Sequence, residues 1–176
     1  MQEIYIPEER VRLLKSDDLI TKIEKKFNCK INIIDKNIVR IIAEDAVEEF
    51  LLKDVVFAFG RGFKFSTAEK IINNNEYFFQ IDLGNIFNKK EQIQRIKSRI
   101  IGKNGKTKLY IEEVSGAELS IYGDTVSFIG SEKSIEEAKT AVNAIINGKM
   151  HRTAYRYMEA AHRKNKNQDE FESIMR

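Results

Sequence analysis

The chain has 176 residues, of which 42% are hydrophobic and 32% are charged, the composition of a folded protein with one domain or two small ones. Its net charge of +3 is too small to indicate a partner, but residues 1–74 hold 13 basic and 13 acidic residues, so the whole excess lies after residue 74. A single cysteine excludes an internal disulfide, and the absence of a signal-like start or a long apolar run leads us to expect a cytoplasmic protein.

The first half predicts a strand, two helices, two strands and a third helix, in that order. An apolar strand (IYI) precedes the amphipathic sequence EERVRLLKSDDLITKIEKKF, and alternation in KINII and VRII then predicts a strand pair. The apolar sequence EEFLLKDVVFAF follows as a helix. Ser66 and Glu69 have the spacing of a capping box, which predicts that a further short helix starts at Ser66.

The second half repeats this order. A strand in FFQI, amphipathic sequences on both sides of a glycine-containing turn, a strand pair in ELSIYGDTVSFI and a final helix in SIEEAKTAVNAII correspond to the elements of the first half. We place the boundary after residue 74. Residues 75–148 then form the second unit, and residues 149–176 form a C-terminal helix that ends in a polar tail.

The turn of the second unit lies in RIIGKNGKTK (residues 99–108), whose Gly-Lys-Thr resembles the end of a nucleotide-binding P-loop. A P-loop needs Gly-x-x-x-x-Gly-Lys-Ser/Thr after a strand, whereas Ile100 occupies the position of the first glycine and a helix precedes the turn. The P-loop reading therefore fails. His151 and His162 lie eleven residues apart and predict no zinc or catalytic site, so we expect no enzyme activity, metal or cofactor.

The same turn carries a one-sided charge cluster. Lys89–Lys108 contains eight basic residues and one acid, which favours a phosphate-binding surface over an ordinary solvated helix face. Gly102 and Gly105 let the backbone approach a phosphate because they lack a Cβ. The helix that starts there offers its free N–H groups to an anion.

A strand–helix–helix–strand–strand–helix unit with Gly-x-x-Gly between its first two helices resembles the type I KH domain, which clamps about four nucleotides of a single strand. The resemblance implies an α+β fold with two tandem type I KH domains (βααββα each) and a C-terminal helix. The residues expected to bind RNA are Arg95, Lys97, Arg99, Ile101, Gly102, Lys103, Asn104, Gly105, Lys106, Lys108 and Ile111.

Three questions stay open at this point. Ile101 and Ile111 line either the RNA groove or the core. The first half has Leu14–Asp17 in place of the loop, so residues 1–74 form a degenerate KH domain that is either structural or docks proteins. Arginines of the last helix, at positions 152, 156 and 163, either extend the RNA track or belong to a solvated helix face.

Two consecutive KH units with the sequences GRGF (60–63) and GKNGKTK (102–108) resemble the Pno/Dim family of pre-ribosome KH-domain proteins, and the archaeal members most. The resemblance covers nearly all of residues 3–160. It implies an RNA-binding ribosome assembly factor that binds near the 3′ end of small-subunit rRNA and assists its maturation with an endonuclease partner. It also implies contact with the α subunit of a translation initiation factor and no membrane partner. Two alternatives are a protein-docking adaptor and an RNA-decay complex cofactor.

Overall fold

The structure is a computed structural model that describes residues 2–175. The chain divides into two compact units between Phe78 and Phe79, whereas the sequence placed the boundary after residue 74. Among the described residues, no helix combines the length and the apolar character needed to cross a membrane.

The first unit is a three-stranded sheet with helices packed against it. The strand order is β1-β3-β2, and both neighbouring pairs are antiparallel. The alternation that predicted the strands also sets their inner face, since Ile31, Val39 and Ile41 are buried. The elements are β1 (Gln2–Tyr5), α1 (Glu8–Lys15), α2 (Leu19–Phe27), β2 (Cys29–Asp35), β3 (Ile38–Ala43) and α3 (Ala46–Gly60).

The turn between α1 and α2 differs from the expected one. It is a short 3₁₀ turn over Ser16–Asp18, and Leu14, which the sequence placed in the loop, is the last fully buried residue of α1. Asp18 has a left-handed backbone conformation, and no glycine occurs here. The first unit therefore has a helix–turn–helix at the equivalent position but lacks a glycine loop.

After α3 the chain makes two short helices, α4 (Phe65–Ala68) and α5 (Lys70–Asn73). The predicted capping box is wrong, because α4 is preceded by Lys64 and has no side-chain cap, while Ser66 lies inside the helix. Gly60 packs so closely on the first unit's Ile6 that an added Cβ would lie 2.3 Å from Ile6 Cγ2. This contact gives the first glycine of GRGF a packing role.

The second unit has the same order of elements and the strand order β4-β6-β5, in which β5 and β6 are antiparallel. Its apolar core lies between this sheet and the helices and includes Ile100, Ile111, Phe128 and Met158. The elements are β4 (Tyr77–Asp82, whose first two residues precede the division between the units), α6 (Lys90–Ile101), α7 (Lys106–Ser115), β5 (Glu118–Tyr122), β6 (Thr125–Gly130), α8 (Glu132–Ile146) and α9 (His151–Ile174).

The last helix is longer than the sequence predicted. We expected a helix that frays into a polar tail, but α9 continues to Ile174. The buried carboxylate of Glu137 on α8 accepts hydrogen bonds from His162 Nδ1 (2.8 Å) and Asn165 Nδ2 (2.7 Å), and Lys133 pairs with Asp169. These polar contacts hold the second half of α9 on α8, and an apolar-periodicity argument does not detect them.

Candidate nucleic-acid interface

The Gly102–Gly105 loop joins α6 to α7 in a conformation that requires its glycines. Gly102 ends α6 with φ 76° and ψ 174°, a region open almost only to glycine, and its N–H donates to the Ser98 carbonyl at 2.9 Å. Gly105 has φ 75°, and Asn104 between them is also left-handed, at φ 55°. Asparagine tolerates this conformation better than most residues, so the sequence fits the backbone at all three positions.

The two glycines have different surroundings. A Cβ on Gly102 would lie 2.2 Å from Thr107 Oγ1 and 2.8 Å from the Thr107 backbone nitrogen, whereas a Cβ on Gly105 would meet nothing within 4 Å. Gly102 therefore allows the loop to pack onto the first turn of α7. Gly105 leaves the outer side of the loop open to a ligand.

The start of α7 is suited to an anion. It follows Gly105 directly; the N–H of its first residue, Lys106, donates to the Lys103 carbonyl, and no side chain caps the next N–H groups, which lie at the positive end of the helix dipole. Lys103 and Lys106 are exposed on either side and make no hydrogen bond or ion pair with any described residue. Backbone donors and two free ammonium groups thus converge on one open surface.

The remaining basic residues of the cluster separate into different roles. Arg95 is exposed and unpaired among the described residues. Lys108 is paired with Glu112 at 2.7 Å, and Lys97 lies 4.0 Å from Asp124. The sequence counted all of these as free phosphate ligands, but Lys108 and Lys97 already have carboxylate neighbours.

Arg99 has a different role from the predicted one. Its guanidinium donates to the backbone carbonyl of Ile145 at 3.0 Å, in the last turn of α8, and to that of Lys149, in the link to α9. In return, His151 Nε2 donates to the Arg99 carbonyl at 2.8 Å. Arg99 thus fixes the end of α6 to the α8–α9 connection, a positioning role that requires residues about fifty positions away.

Helix α9 also contacts the other side of the loop. The Tyr155 hydroxyl donates to Thr107 Oγ1 at 3.2 Å, and the Tyr155 and Tyr110 rings lie 4.5 Å apart. Tyr110 donates to Glu159 at 2.5 Å, and this bond raises the pKa of Tyr110. Sequence reasoning missed these contacts, although Ala154 and Met158, one turn apart and both buried, mark the packed face of α9.

Ile101 and Ile111 divide between the two roles that the sequence left open. Ile101, at the end of α6, is 38% exposed and borders the loop. Ile111 is fully buried in the second core, so its inclusion among the RNA-contacting residues is wrong for this conformation. Within the described part of the chain, His, Cys, Asp and Glu side chains form no group that could hold a metal ion.

Comparison with known proteins assigns the chain to a family. The model of the second KH domain of PNO1 proteins, described as a eukaryotic-type KH domain (type I), matches residues 77–163. The KH domain-containing protein MJ0443 of Methanocaldococcus jannaschii is 34% identical over 167 residues, which span 92% of this chain and 74% of that protein. The chain belongs to the Pno/Dim family of KH-domain proteins. The resemblance found in the sequence is thereby confirmed.

Solved structures agree with this assignment. Dim2p from Pyrococcus horikoshii OT3 has a TM-score of 0.83 and 36% identity, covering 90% of this chain and 98% of that one. A complex of a/eIF2alpha, aDim2p and rRNA from the same organism contains a chain with a TM-score of 0.83 and 36% identity, covering 93% and 94%. The protein APE0754 of Aeropyrum pernix, of unknown function, has a TM-score of 0.92 at 23% identity over 99% and 96%, which supports the fold alone.

Proposed function

We propose that this protein is a single-stranded RNA-binding ribosome assembly factor whose second unit clamps RNA at the Gly102–Gly105 loop. The observation that carries the proposal is the open, glycine-lined loop at the start of α7, where no side chain caps the helix and where lysines 103 and 106 have no partner among the described residues. In this arrangement the backbone N–H groups receive a phosphate and the two ammonium groups neutralise its charge. The proposal assigns no catalytic residue.

The proposal also names the RNA that the clamp binds and the proteins that act beside it. We propose that the RNA is the 3′ region of small-subunit rRNA and that the protein assists its maturation beside an endonuclease. Support comes from the family and from the complex of the related aDim2p with rRNA and a/eIF2alpha. We propose that this protein likewise binds rRNA and the initiation factor α subunit.

We also propose that the first unit is a KH domain without the glycine loop, because its turn has no glycine and Leu14 is buried.

The test needs a variant that removes the clamp without breaking the fold. An aspartate at Gly102 is unsuitable because its Cβ would meet Thr107. Lys103→Asp with Asn104→Asp is better, since both residues are exposed and aspartate, like asparagine, accepts the left-handed conformation of residue 104. The two substitutions change the charge of the loop by −3 (−2 at residue 103 and −1 at residue 104) where a phosphate would bind, so binding of a single-stranded oligonucleotide should be lost.

The first unit offers a matched control. Lys25→Asp with Asn28→Asp makes the same chemical change at exposed positions, and Asn28 is also left-handed, with φ 44°. Fluorescence anisotropy with an oligonucleotide of the archaeal rRNA 3′ end, over a salt series, compares the three proteins. The clamp is refuted if the loop variant binds as tightly as the control while both keep the wild-type circular dichroism spectrum.

A second candidate, a protein-docking adaptor, is favoured by a groove in the first unit. Phe50 and Tyr77, 53% and 60% exposed, line it together with the partly buried Asp54 and with Glu76. The chain's own Lys53 lies 5.3 Å from the centroid of the Phe50 ring, so the Tyr77 ring and the two carboxylates are the groups that suit a basic side chain of a partner. Calorimetric titration with the α subunit of archaeal initiation factor 2 tests it. Weaker binding by Asp54→Lys, with RNA binding unchanged, would support an adaptor role for this unit.

A further inference from the structure

Helix α9 carries three exposed arginines that no internal contact explains. Arg152, Arg156 and Arg163 have no hydrogen bond, ion pair or ring contact with any described residue. Two other arginines show the contrast: Arg10 donates hydrogen bonds to the Phe59 and Phe63 carbonyls, and Arg99 donates to those of Ile145 and Lys149. The guanidinium groups of these three arginines are therefore available to an external ligand, at the cost of the rotamer entropy that each side chain loses on binding.

The three arginines share one face of the helix. At 100° per residue, positions 152, 156 and 163 fall within about 40° of one another, along roughly 16 Å of helix. The acidic residue on the same stripe, Glu159, accepts a hydrogen bond from Tyr110 and is turned toward α7. Between residues 152 and 163 the stripe therefore presents arginine charge to solvent.

The stripe lies beside the loop of the second unit. Tyr155 and Glu159 contact Thr107 and Tyr110 of α7. On the helical wheel Glu159 lies within about 60° of each arginine, and Tyr155 lies about 60–100° from them on the same side. His151, next to Arg152, is bonded to the end of α6. The residues that face α8, His162 and Asn165, lie farther round the helix. The arginines thus occupy the solvent-facing flank of α9 that is nearest α7.

We propose that Arg152, Arg156 and Arg163 form a phosphate-binding track that receives the RNA strand where it leaves the Gly102–Gly105 clamp. Guanidinium groups suit this task, since each binds phosphate oxygens through two parallel N–H donors. Contacts of this kind hold the backbone and carry no base readout, so the track adds length and affinity to the site rather than sequence preference. The inference rests on the proposed RNA clamp and extends it onto α9.

The test combines a triple variant with strands of two lengths. Arg152→Gln, Arg156→Gln and Arg163→Gln removes three charges and keeps residues of good helix propensity. Each neutralised phosphate contributes about −0.7 to the slope of log K against log salt for a single strand. The triple variant should therefore flatten that slope by about 2 for a strand of about twelve nucleotides, and leave binding of a strand of about four nucleotides unchanged. Between 50 and 200 mM salt, wild type should lose about 16-fold more affinity for the long strand than the variant.

A control removes the same charge elsewhere. Lys25→Gln, Lys30→Gln and Lys36→Gln changes three exposed lysines of the first unit. The track is refuted if the α9 variant keeps the wild-type slope on the long strand, or if this control flattens the slope equally. Failure of the clamp has a separate signature: wild type then binds neither strand, and both proposals fall.

Discussion

The two loop glycines should differ sharply in their tolerance of alanine. At Gly105 the only cost is the left-handed backbone, about 1–2 kcal/mol for an alanine, because its Cβ would point into open space. At Gly102 the backbone region costs about 1–3 kcal/mol, and forcing a methyl group 2.2 Å from Thr107 Oγ1 adds about 1–3 kcal/mol more. We expect Gly102→Ala to lower the free energy of unfolding by roughly 2–3 kcal/mol more than Gly105→Ala does.

The measurement must report on the second unit, since a chain of two units need not unfold in one step. Amide hydrogen exchange followed by mass spectrometry on peptides spanning residues 90–115 gives the opening free energy of α6 and α7. Peptides from residues 2–43 serve as the internal reference and should be unaffected. Equal costs for the two variants, or a larger cost at Gly105, would refute the close packing of the loop on Thr107. Replacing Thr107 by alanine should recover part of the loss at Gly102, because Oγ1 is the nearest atom.

Four further outcomes follow from two buried groups, Cys29 and Glu137, and from the half-buried Asp54. The Cys29 thiol is buried and its pKa is raised to about 11, chiefly by burial, so iodoacetamide at pH 8 should alkylate it about 100-fold more slowly in the folded than in the urea-unfolded protein. The thiol pKa is near 9 in the unfolded state, so between about pH 9 and pH 11 the folded state binds a proton that the unfolded state has lost. The free energy of unfolding should therefore fall over this range. Urea titrations of Cys29→Ala should show a smaller fall. Burial raises the pKa of Asp54, so its charged form disfavours folding at neutral pH. Asp54→Asn should therefore raise the Tm at pH 7 and lose this advantage near pH 3, where the carboxyl is protonated in both states. A lower Tm of the variant at pH 7 would contradict the argument. Glu137→Ala leaves His162 and Asn165 without their acceptor, so exchange protection of residues 162–174 should fall by about 1–3 kcal/mol while β5 and β6 stay protected.

The sequence determined the elements of both units and the place of the loop. Periodicity two in KINII and periodicity 3.6 in KKEQIQRIKSRI depend only on nearby residues, so strand and helix faces could be assigned before any tertiary contact was known. The Gly-x-x-Gly sequence identified the loop, because Gly102 has a backbone conformation open almost only to glycine and Gly105 has a left-handed one that glycine adopts at no steric cost. The same local logic failed at Leu14, where burial by distant residues extended α1, and at Ser66, where the helix began one residue earlier.

Only the tertiary structure decided which charged residues are free to bind a ligand. Arg99 and Lys106 look alike in the sequence, yet Arg99 donates to carbonyls 46 and 50 residues away, while Lys106 has no partner within residues 2–175. Ile101 and Ile111 likewise differ, because the core of the second unit buries Ile111 and leaves Ile101 partly exposed beside the loop. The physical reason is common to both pairs. Helix or strand preference is set by neighbours in sequence, whereas pairing and burial are set by neighbours in space, which here come from α8, α9 and the link between them.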